Sequence, residues 1–399
     1  MKVKKRRTVG IVRCLIVILV LGIASCAVAA ELSKQEILQG ADERIEKHRK
    51  GTLELTLRTG NTPLPEGTHV RIRQTRHEFL FGSSSQWLFN IHGRRNRFNT
   101  QPELAQRYSK RFTDLLNFCT TQVYWGPYER KLGEPQYDMT EANVEWARRH
   151  DITVKGHPLA WNYFGQPSWM DDASPEEALE MQLDRIEEMA RHFRGKVDMW
   201  DVVNEAAGWD RDPTSRTCPE LTTAIKKVGI KEFVRRAYRR ARKGNPDATL
   251  LTNDYVLGEK YHERGIRPLI VDGEKLFDVI GLQSHMHGGV WPVEKIWSAC
   301  EGFADYDVPL HFTEVTITSG DPEDRHKRDK WETTPEGEER QAEQVELFYR
   351  VLFSHPSVEA IVWWNLTDRH AWLGAPAGLI RKDMSPKPAY DRLWHLVKE

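Results

Sequence analysis

The chain has 399 residues, 39% hydrophobic and 29% charged, which excludes a disordered or fibrous protein and leaves ample apolar material for a large core. Its 58 Lys and Arg equal its 58 Asp and Glu, but six basic residues and no acid fall in the first thirty positions, so the remainder carries 52 against 58. A mature charge near −6 argues against nucleic acid as a partner, since phosphates demand a clustered basic surface, and favours a neutral or weakly charged polymer.

Lys2, Lys4, Lys5, Arg6 and Arg7 precede the apolar stretch 14–24, and Ala27-Val28-Ala29 offers a small-residue cleavage site, so residues 1–30 read as an export signal and predict a secreted or periplasmic protein. Ile23-Ala24-Ser25-Cys26 also fits a bacterial lipoprotein box, the alternative in which a lipidated Cys26 tethers the protein to a membrane. Beyond the leader, Cys119, Cys218 and Cys300 are widely spaced and allow at most one disulfide, which excludes a disulfide scaffold.

Residues 31–77 read as a short N-terminal helix and β-hairpin extension, with alternating strands at Thr52 to Leu57 and His69 to Gln74 joined through Gly- and Pro-rich turns. From 78 to 399, short apolar runs alternate with amphipathic stretches. The predicted strands are 79–82, 118–123, 152–157, 197–204, 248–253, 277–283, 308–314 and 358–364; the predicted helices are 103–116, 141–150, 175–193, 231–243, 292–303, 338–353 and 388–397. Eight βα repeats close most naturally into an α/β fold of the (β/α)8 TIM barrel type. The nucleotide-binding turns of an open doubly wound sheet, the competing architecture, do not follow the early strands.

In a barrel of this kind the C-terminal strand ends carry the chemistry. Strand four runs Trp200-Asp201-Val202-Val203-Asn204-Glu205, and strand seven ends His311-Phe312-Thr313-Glu314. Two carboxyl groups flanking one bond are what acetal cleavage through an oxocarbenium-like transition state requires. Around them, strand three ends in Gly156-His157-Pro158-Leu159-Ala160-Trp161 and strand five in Asn253-Asp254-Tyr255. Strand six ends in Gln283-Ser284-His285-Met286-His287, and strand eight in Trp363-Trp364-Asn365-Leu366-Thr367-Asp368, with Trp372 just beyond. Indole faces pack on sugar C–H groups, and amides and imidazoles orient hydroxyls, so this rim suits a pyranose.

From about Phe79 to the C-terminus, including Ser385-Pro386-Lys387-Pro388-Ala389-Tyr390, the chain resembles glycoside hydrolase family 10, the barrel xylanases, most specifically through Trp200 to Glu205. The resemblance implies an endo-1,4-β-xylanase that acts with retention and without a cofactor or metal. It makes Glu205 the acid/base and Glu314 the nucleophile, their carboxyl groups about 5 Å apart. Asn204 would bond the sugar 2-hydroxyl, His157 would contact the sugar at the cleavage point and His285 would hold Glu314. Gln283, Trp364 and Trp372 would line the same subsite, and Trp161, Tyr255, Trp125 and Glu129 complete the expected substrate contacts. The expected partner is xylan, decorated xylan or a related β-glycan, and the expected state is a monomer.

The sequence departs from that family after strand two. A Glu-Asn pair and a Lys-Trp are replaced by Thr120-Thr121-Gln122-Val123-Tyr124-Trp125-Gly126-Pro127-Tyr128-Glu129, in which Trp125 matches the tryptophan and Tyr124 stands for the lysine. Asn162 follows Trp161 where the family has histidine, and the segment after Asn253 is short. Two other classes remain: a metal-dependent amidohydrolase, suggested by His285-Met286-His287, and a non-catalytic carbohydrate-binding protein. Trp200 and Trp363 are expected in the core, and the basic run 235–243 on a solvated helix face.

Overall fold

The computed structural model describes residues 32–85, 101–164 and 166–398. The leader and Cys26 lie outside the described residues. Among those described, eight strands form one parallel barrel: β1 Leu80–Ser84, β2 Phe118–Gln122, β3 Thr153–His157, β4 Met199–Asn204, β5 Thr249–Asp254, β6 Val279–Leu282, β7 Leu310–Ile317 and β8 Val358–Trp363. Each pairs with the next, and β8 pairs back onto β1 through Ala360↔Leu80 to Trp363↔Ser83, closing the ring. Every predicted barrel strand overlaps an observed one. The strands read as apolar runs because both faces are covered: β7 is buried along its whole length, and β4 from its second residue on.

The helices of the outer layer include α1 Lys34–Gln39, α2 Ala41–Arg49, α3 Pro102–Leu115, α4 Tyr137–Arg149, α5 Pro175–His192, α6 Pro219–Val228, α7 Ile230–Gly244, α8 Val293–Ala304, α9 Pro335–Ser354 and α10 Pro388–Lys398. Helix α5 shows how the sequence sets a boundary: Ser174 and Glu177 form a reciprocal capping box, Pro175 occupies the first turn, and Leu179, Leu183 and Ile186 face the core. The sequence reading missed α6, although Pro219 begins it and Gly229, with φ +86°, ends it. The basic run on α7 is more than a solvated face. Arg236 pairs with Glu180, Arg240 with Glu180, Asp184 and Glu187, and Lys243 with Glu187, forming a seam of ion pairs with α5.

The N-terminal helix is present as α1, which packs beside α8, and α2, which packs beside α9. Asp42 accepts two hydrogen bonds from Arg350, and Arg49 donates to the carbonyls of Phe353, His355 and Val358. Val358 begins β8, so this cap lies toward the barrel face opposite the strand ends that carry the polar residues. The predicted hairpin needs correction. Residues 52–57 and 69–74 form no ladder; the pairing is confined to Arg58↔Pro63 and Thr59↔Thr62, and Leu53, Leu55, Val70 and Ile72 are exposed. Alternation supplied an apolar face, but among the described residues no sheet or helix covers it, and an uncovered two-stranded ribbon has little to hold it together in water.

Two strands carry an irregularity just where the rim needs one. In β4, Asp201 and Val203 oppose the consecutive residues Leu251 and Thr252, which makes Val202 an extra residue. In β7, Phe312 and Val315 oppose Ile361 and Trp363, so the extra residue falls at Thr313-Glu314. A bulge bends its strand and re-aims the side chains that follow, and these two lie beside Glu205 and Glu314.

Candidate active site

The C-terminal strand ends surround a cavity of about 420 Å³. Glu205 and Glu314 both line it, 8% and 6% exposed. Glu205 follows β4 in the left-handed conformation, φ +59° and ψ +44°. A side chain costs roughly 1–2 kcal/mol there, and the turn is held by Glu205 N–H donating to Asn253 O at 2.8 Å and Gly208 N–H donating to Glu205 O at 2.8 Å. Glu314 does not end its strand as expected; β7 continues to Ile317, whose register with Met286 extends the sheet above the barrel.

One amide bridges the two carboxyl-bearing strands. Asn253 Nδ2 donates to Asn204 Oδ1 and to Glu314 Oε1, both at 2.9 Å, and Asn253 Oδ1 accepts from Thr313 Oγ1 at 2.6 Å. Gly281 makes this possible, because a Cβ there would lie 2.6 Å from Asn253 Oδ1. Gln283 Nε2 then donates to Asn204 Oδ1 at 3.2 Å and approaches Glu205 Oε1 at 3.4 Å. His285 Nε2 donates to Glu314 Oε2 at 3.1 Å, with Thr316 Oγ1 2.9 Å from the other ring nitrogen. Burial pushes the Glu314 carboxyl up, but the His285 bond, the electrostatic pull of the His157 and His285 rings, and the Asn253 bond together hold it below the usual carboxylate range.

His157 is fixed from beneath. Its Nδ1–H donates to Asp201 Oδ2 at 2.8 Å, and Lys155 Nζ meets the same oxygen at 2.6 Å; Lys155, His157 and Asp201 are all at most 2% exposed. Burial opposes the charge on Asp201, yet Lys155 and His157 hold its carboxyl below its ordinary value. This leaves Nε2 of His157 as the free face of a ring that lines the cavity between Tyr124 and Trp364.

Of the residues expected to contact substrate, His157, Trp161, Asn204, Tyr255, Gln283, His285, Trp364 and Trp372 all line this cavity. Trp125 and Glu129 do not. Trp125 is 4% exposed beneath the rim, faces Trp169 and the Arg185 guanidinium, and donates from Nε1 to Glu129 Oε2 at 2.8 Å. Residues 125–128 form a helical turn, which buries the tryptophan and leaves Tyr124, one position earlier, on the cavity wall. Asn162 is also structural: its Nδ2 donates to Trp209 O at 2.8 Å and to Thr222 Oγ1 at 3.0 Å. Tyr163, Arg211 and Trp291 line the cavity unanticipated, each on a loop after a strand where composition alone marks no role.

Trp200 and Trp363 are fully buried, as expected. The His285 and His287 rings stack 5.5 Å apart, and burial pushes His287 down to about 4, with the His285 charge adding to it. Among the described residues no three His, Cys, Asp or Glu side chains are placed to hold a metal ion, and Cys119, Cys218 and Cys300 are buried free thiols.

A parallel eight-stranded barrel with two buried carboxyl groups on β4 and β7, amides between them and indoles around them is the architecture of a sugar-cleaving barrel enzyme. Comparison with known proteins gives the family. The model of glycosyl hydrolase family 10 matches residues 88–396, and the chain belongs to that family. It is 27% identical over 321 residues to endo-1,4-beta-xylanase B of Thermotoga neapolitana, covering 76% of this chain and 87% of that protein. It is 30% identical over 254 residues to endo-1,4-beta-xylanase B of Paenibacillus barcinonensis, covering 60% and 73%. The crystal structure of xylanase 10B from Thermotoga petrophila RKU-1 in complex with xylobiose superposes with a TM-score of 0.62 at 20% identity, covering 83% of this chain and all of that one, a likeness of fold.

Proposed function

We propose that the protein is a retaining endo-1,4-β-xylanase in which Glu205 is the acid/base and Glu314 the nucleophile. The observation that carries the assignment is the asymmetry of the two carboxyl groups. Glu314 is bonded on both oxygens by Asn253 and His285 and held below the usual carboxylate range, as a nucleophile must be; Glu205 has one oxygen bonded by Arg211, a loop residue that lines the same cavity.

In the first step Glu205 protonates the glycosidic oxygen while Glu314 attacks the anomeric carbon, the C–O bond to the leaving sugar breaks, and Glu314 loses its charge in the glycosyl ester. In the second, Glu205 takes a proton from water as the water oxygen attacks the anomeric carbon and the Glu314 carboxylate leaves. Asn204, bridged to Glu314 by Asn253, is placed for the sugar 2-hydroxyl, where hydrogen bonds strengthen in the transition state. Trp364 and Trp372 provide aromatic faces for the pyranose, and His157 an acceptor fixed by Asp201.

The leader reading places the enzyme outside the cytoplasm, by release or by a lipid on Cys26, where a polymer too large to enter a cell is met. The product profile on xylan, glucan and mannan, for wild type, Glu205→Ala and Glu314→Ala, tests the whole reading. Xylan is expected to yield short oligomers and both variants to lose turnover. Azide is expected to restore part of the Glu205→Ala activity on an activated aryl glycoside, with a β-configured product. Wild-type turnover by Glu314→Ala would remove the nucleophile assignment. Preference for another β-glycan would point to Tyr124, which narrows the cavity between His157, Trp161 and Phe164, as the residue that changed the specificity.

A further inference from the structure

Arg211 stands in the cavity beside Glu205 in a seat built for it. Its Nη2 donates to Glu205 Oε2 at 2.5 Å and its Nη1 to the Tyr255 hydroxyl at 2.9 Å. The guanidinium carbon lies 5.3 Å from the centre of the Tyr163 ring and 5.4 Å from that of Tyr255. Gly208 leaves the space, since a Cβ there would come within 3.1 Å of Nη1. Burial works against the Arg211 charge, and Glu205 and Tyr255 more than restore it.

This arrangement suits only one of the two roles that Glu205 has to play. The side chains in hydrogen-bond reach of its carboxyl group among the described residues are Arg211 at Oε2 and Asn204 and Gln283 at Oε1, and each presents N–H groups. A ring of donors, one of them a cation, suits a carboxylate, because none of the N–H groups that face Glu205 can accept a proton from it. A carboxylate is the form needed to activate water in the second step. It is the wrong form for the first, in which Glu205 must hold a proton and present it to the glycosidic oxygen.

We propose that Arg211 is a positioning residue that makes and breaks one bond: it bonds Glu205 Oε2 before substrate binds and in the second step, and lets go of Oε2, while Tyr255 and the Tyr163 face continue to hold it, when the leaving sugar occupies the cavity for the first step. The proposal rests on Glu205 being the acid/base. The proton balance closes with solvent: as Arg211 lets go, Glu205 takes a proton from bulk water, gives it to the departing sugar, is left as the carboxylate that Arg211 can bond again, takes a proton from the attacking water and returns it to solvent before the next cycle.

The test compares aryl β-xylobiosides with a good leaving group, 2,4-dinitrophenol, which needs no acid and makes the second step limiting, and a poor one, phenol, which needs the acid. Arg211→Met is expected to lower kcat on the dinitrophenyl glycoside about tenfold, the scale of one lost charge-assisted hydrogen bond, while kcat/KM on the phenyl glycoside holds or rises. Arg211→Lys, which keeps the charge, is expected to recover part of the first loss. An equal fall on both substrates would make Arg211 a structural or binding residue, and no change on either would leave it without a role; each overturns the proposal. Urea unfolding of both variants separates loss of fold from loss of mechanism. Glu205→Ala measured on the same pair keeps the two readings apart. If its phenyl-glycoside kcat/KM stays at wild type, the acid/base assignment fails. If it falls steeply there while Arg211→Met falls in parallel on both substrates, only the Arg211 proposal fails.

Discussion

Replacing Asp201 by asparagine removes the charge that holds the Lys155, His157 and Asp201 cluster together inside the barrel. The Lys155 Nζ to Asp201 Oδ2 distance is 2.6 Å with both groups at most 1% exposed. At an effective dielectric of about 20, such a pair attracts by roughly 6 kcal/mol. An amide oxygen keeps part of this as a dipole, so the expected destabilisation is about 3–5 kcal/mol, the range for leaving one partner of a buried ion pair uncompensated. Lys155 cannot escape to water, and His311, which burial and the Lys155 charge push down to about 3, offers it no counter-charge. Urea unfolding reads the stability; kcat/KM on xylan reads the second consequence, an expected fall of roughly tenfold, because His157 keeps only a neutral amide acceptor where the carboxylate fixed its tautomer. The double variant Lys155→Met with Asp201→Leu separates the two: stability returns because the unpaired charge is gone, and activity does not. A loss below about 1 kcal/mol for Asp201→Asn with unchanged kcat/KM would refute the reasoning. Since the Asp201 carboxyl is held below its ordinary value when folded, its contribution is present above the unfolded value near 3.9 and disappears as the pH falls through the lower folded value.

Asn253→Ala leaves Thr313 without its acceptor and takes a donor from Glu314, so kcat/KM should fall about tenfold and its acid limb move to higher pH, as a Glu314 carboxyl with less support protonates more readily. Asp254 is the reverse case: burial, with a smaller push from Glu205, raises it to about 7 despite bonds from Val256 and Ala207 N–H groups. The folded state then holds a proton that the unfolded chain releases near 3.9, so this group favours folding at low pH and loses up to roughly 4 kcal/mol between pH 4 and 7. The loss should disappear in Asp254→Asn, and an unchanged pH dependence of urea unfolding would contradict it. Trp125→Ala, being a core truncation, should destabilise by about 3–5 kcal/mol, whereas Tyr124→Ala should change KM or substrate preference; a Trp125 effect confined to KM would return that residue to the cleft.

The barrel was readable because apolar strand runs buried on both faces recur with helical stretches between them, and because Glu205, Glu314 and their flanking Asn204, Gln283 and His285 close those runs. What escaped depends on three-dimensional approach. Arg211 sits in Asp210-Arg211-Asp212, a sequence indistinguishable from a solvated loop, and only the fold brings it to Glu205. The exchange of Trp125 for Tyr124 at the cavity wall follows from a single helical turn, in which neighbouring side chains point about 100° apart. The bulges at Val202 and Thr313-Glu314 are invisible in an apolar pattern, which counts residues but does not say which are unpaired. The failed N-terminal hairpin shows the converse: alternation at 52–57 and 69–74 was present, and a surface to bury it was not.

The central claim is that Glu314 forms a covalent glycosyl ester. Incubation with 2,4-dinitrophenyl 2-deoxy-2-fluoro-β-xylobioside, followed by proteolysis and mass spectrometry, tests it directly. One fluoroglycosyl group per chain is expected, on the peptide containing Glu314, accumulating in step with loss of activity. A label on Glu205, or inactivation with no label on any carboxylate, would contradict it.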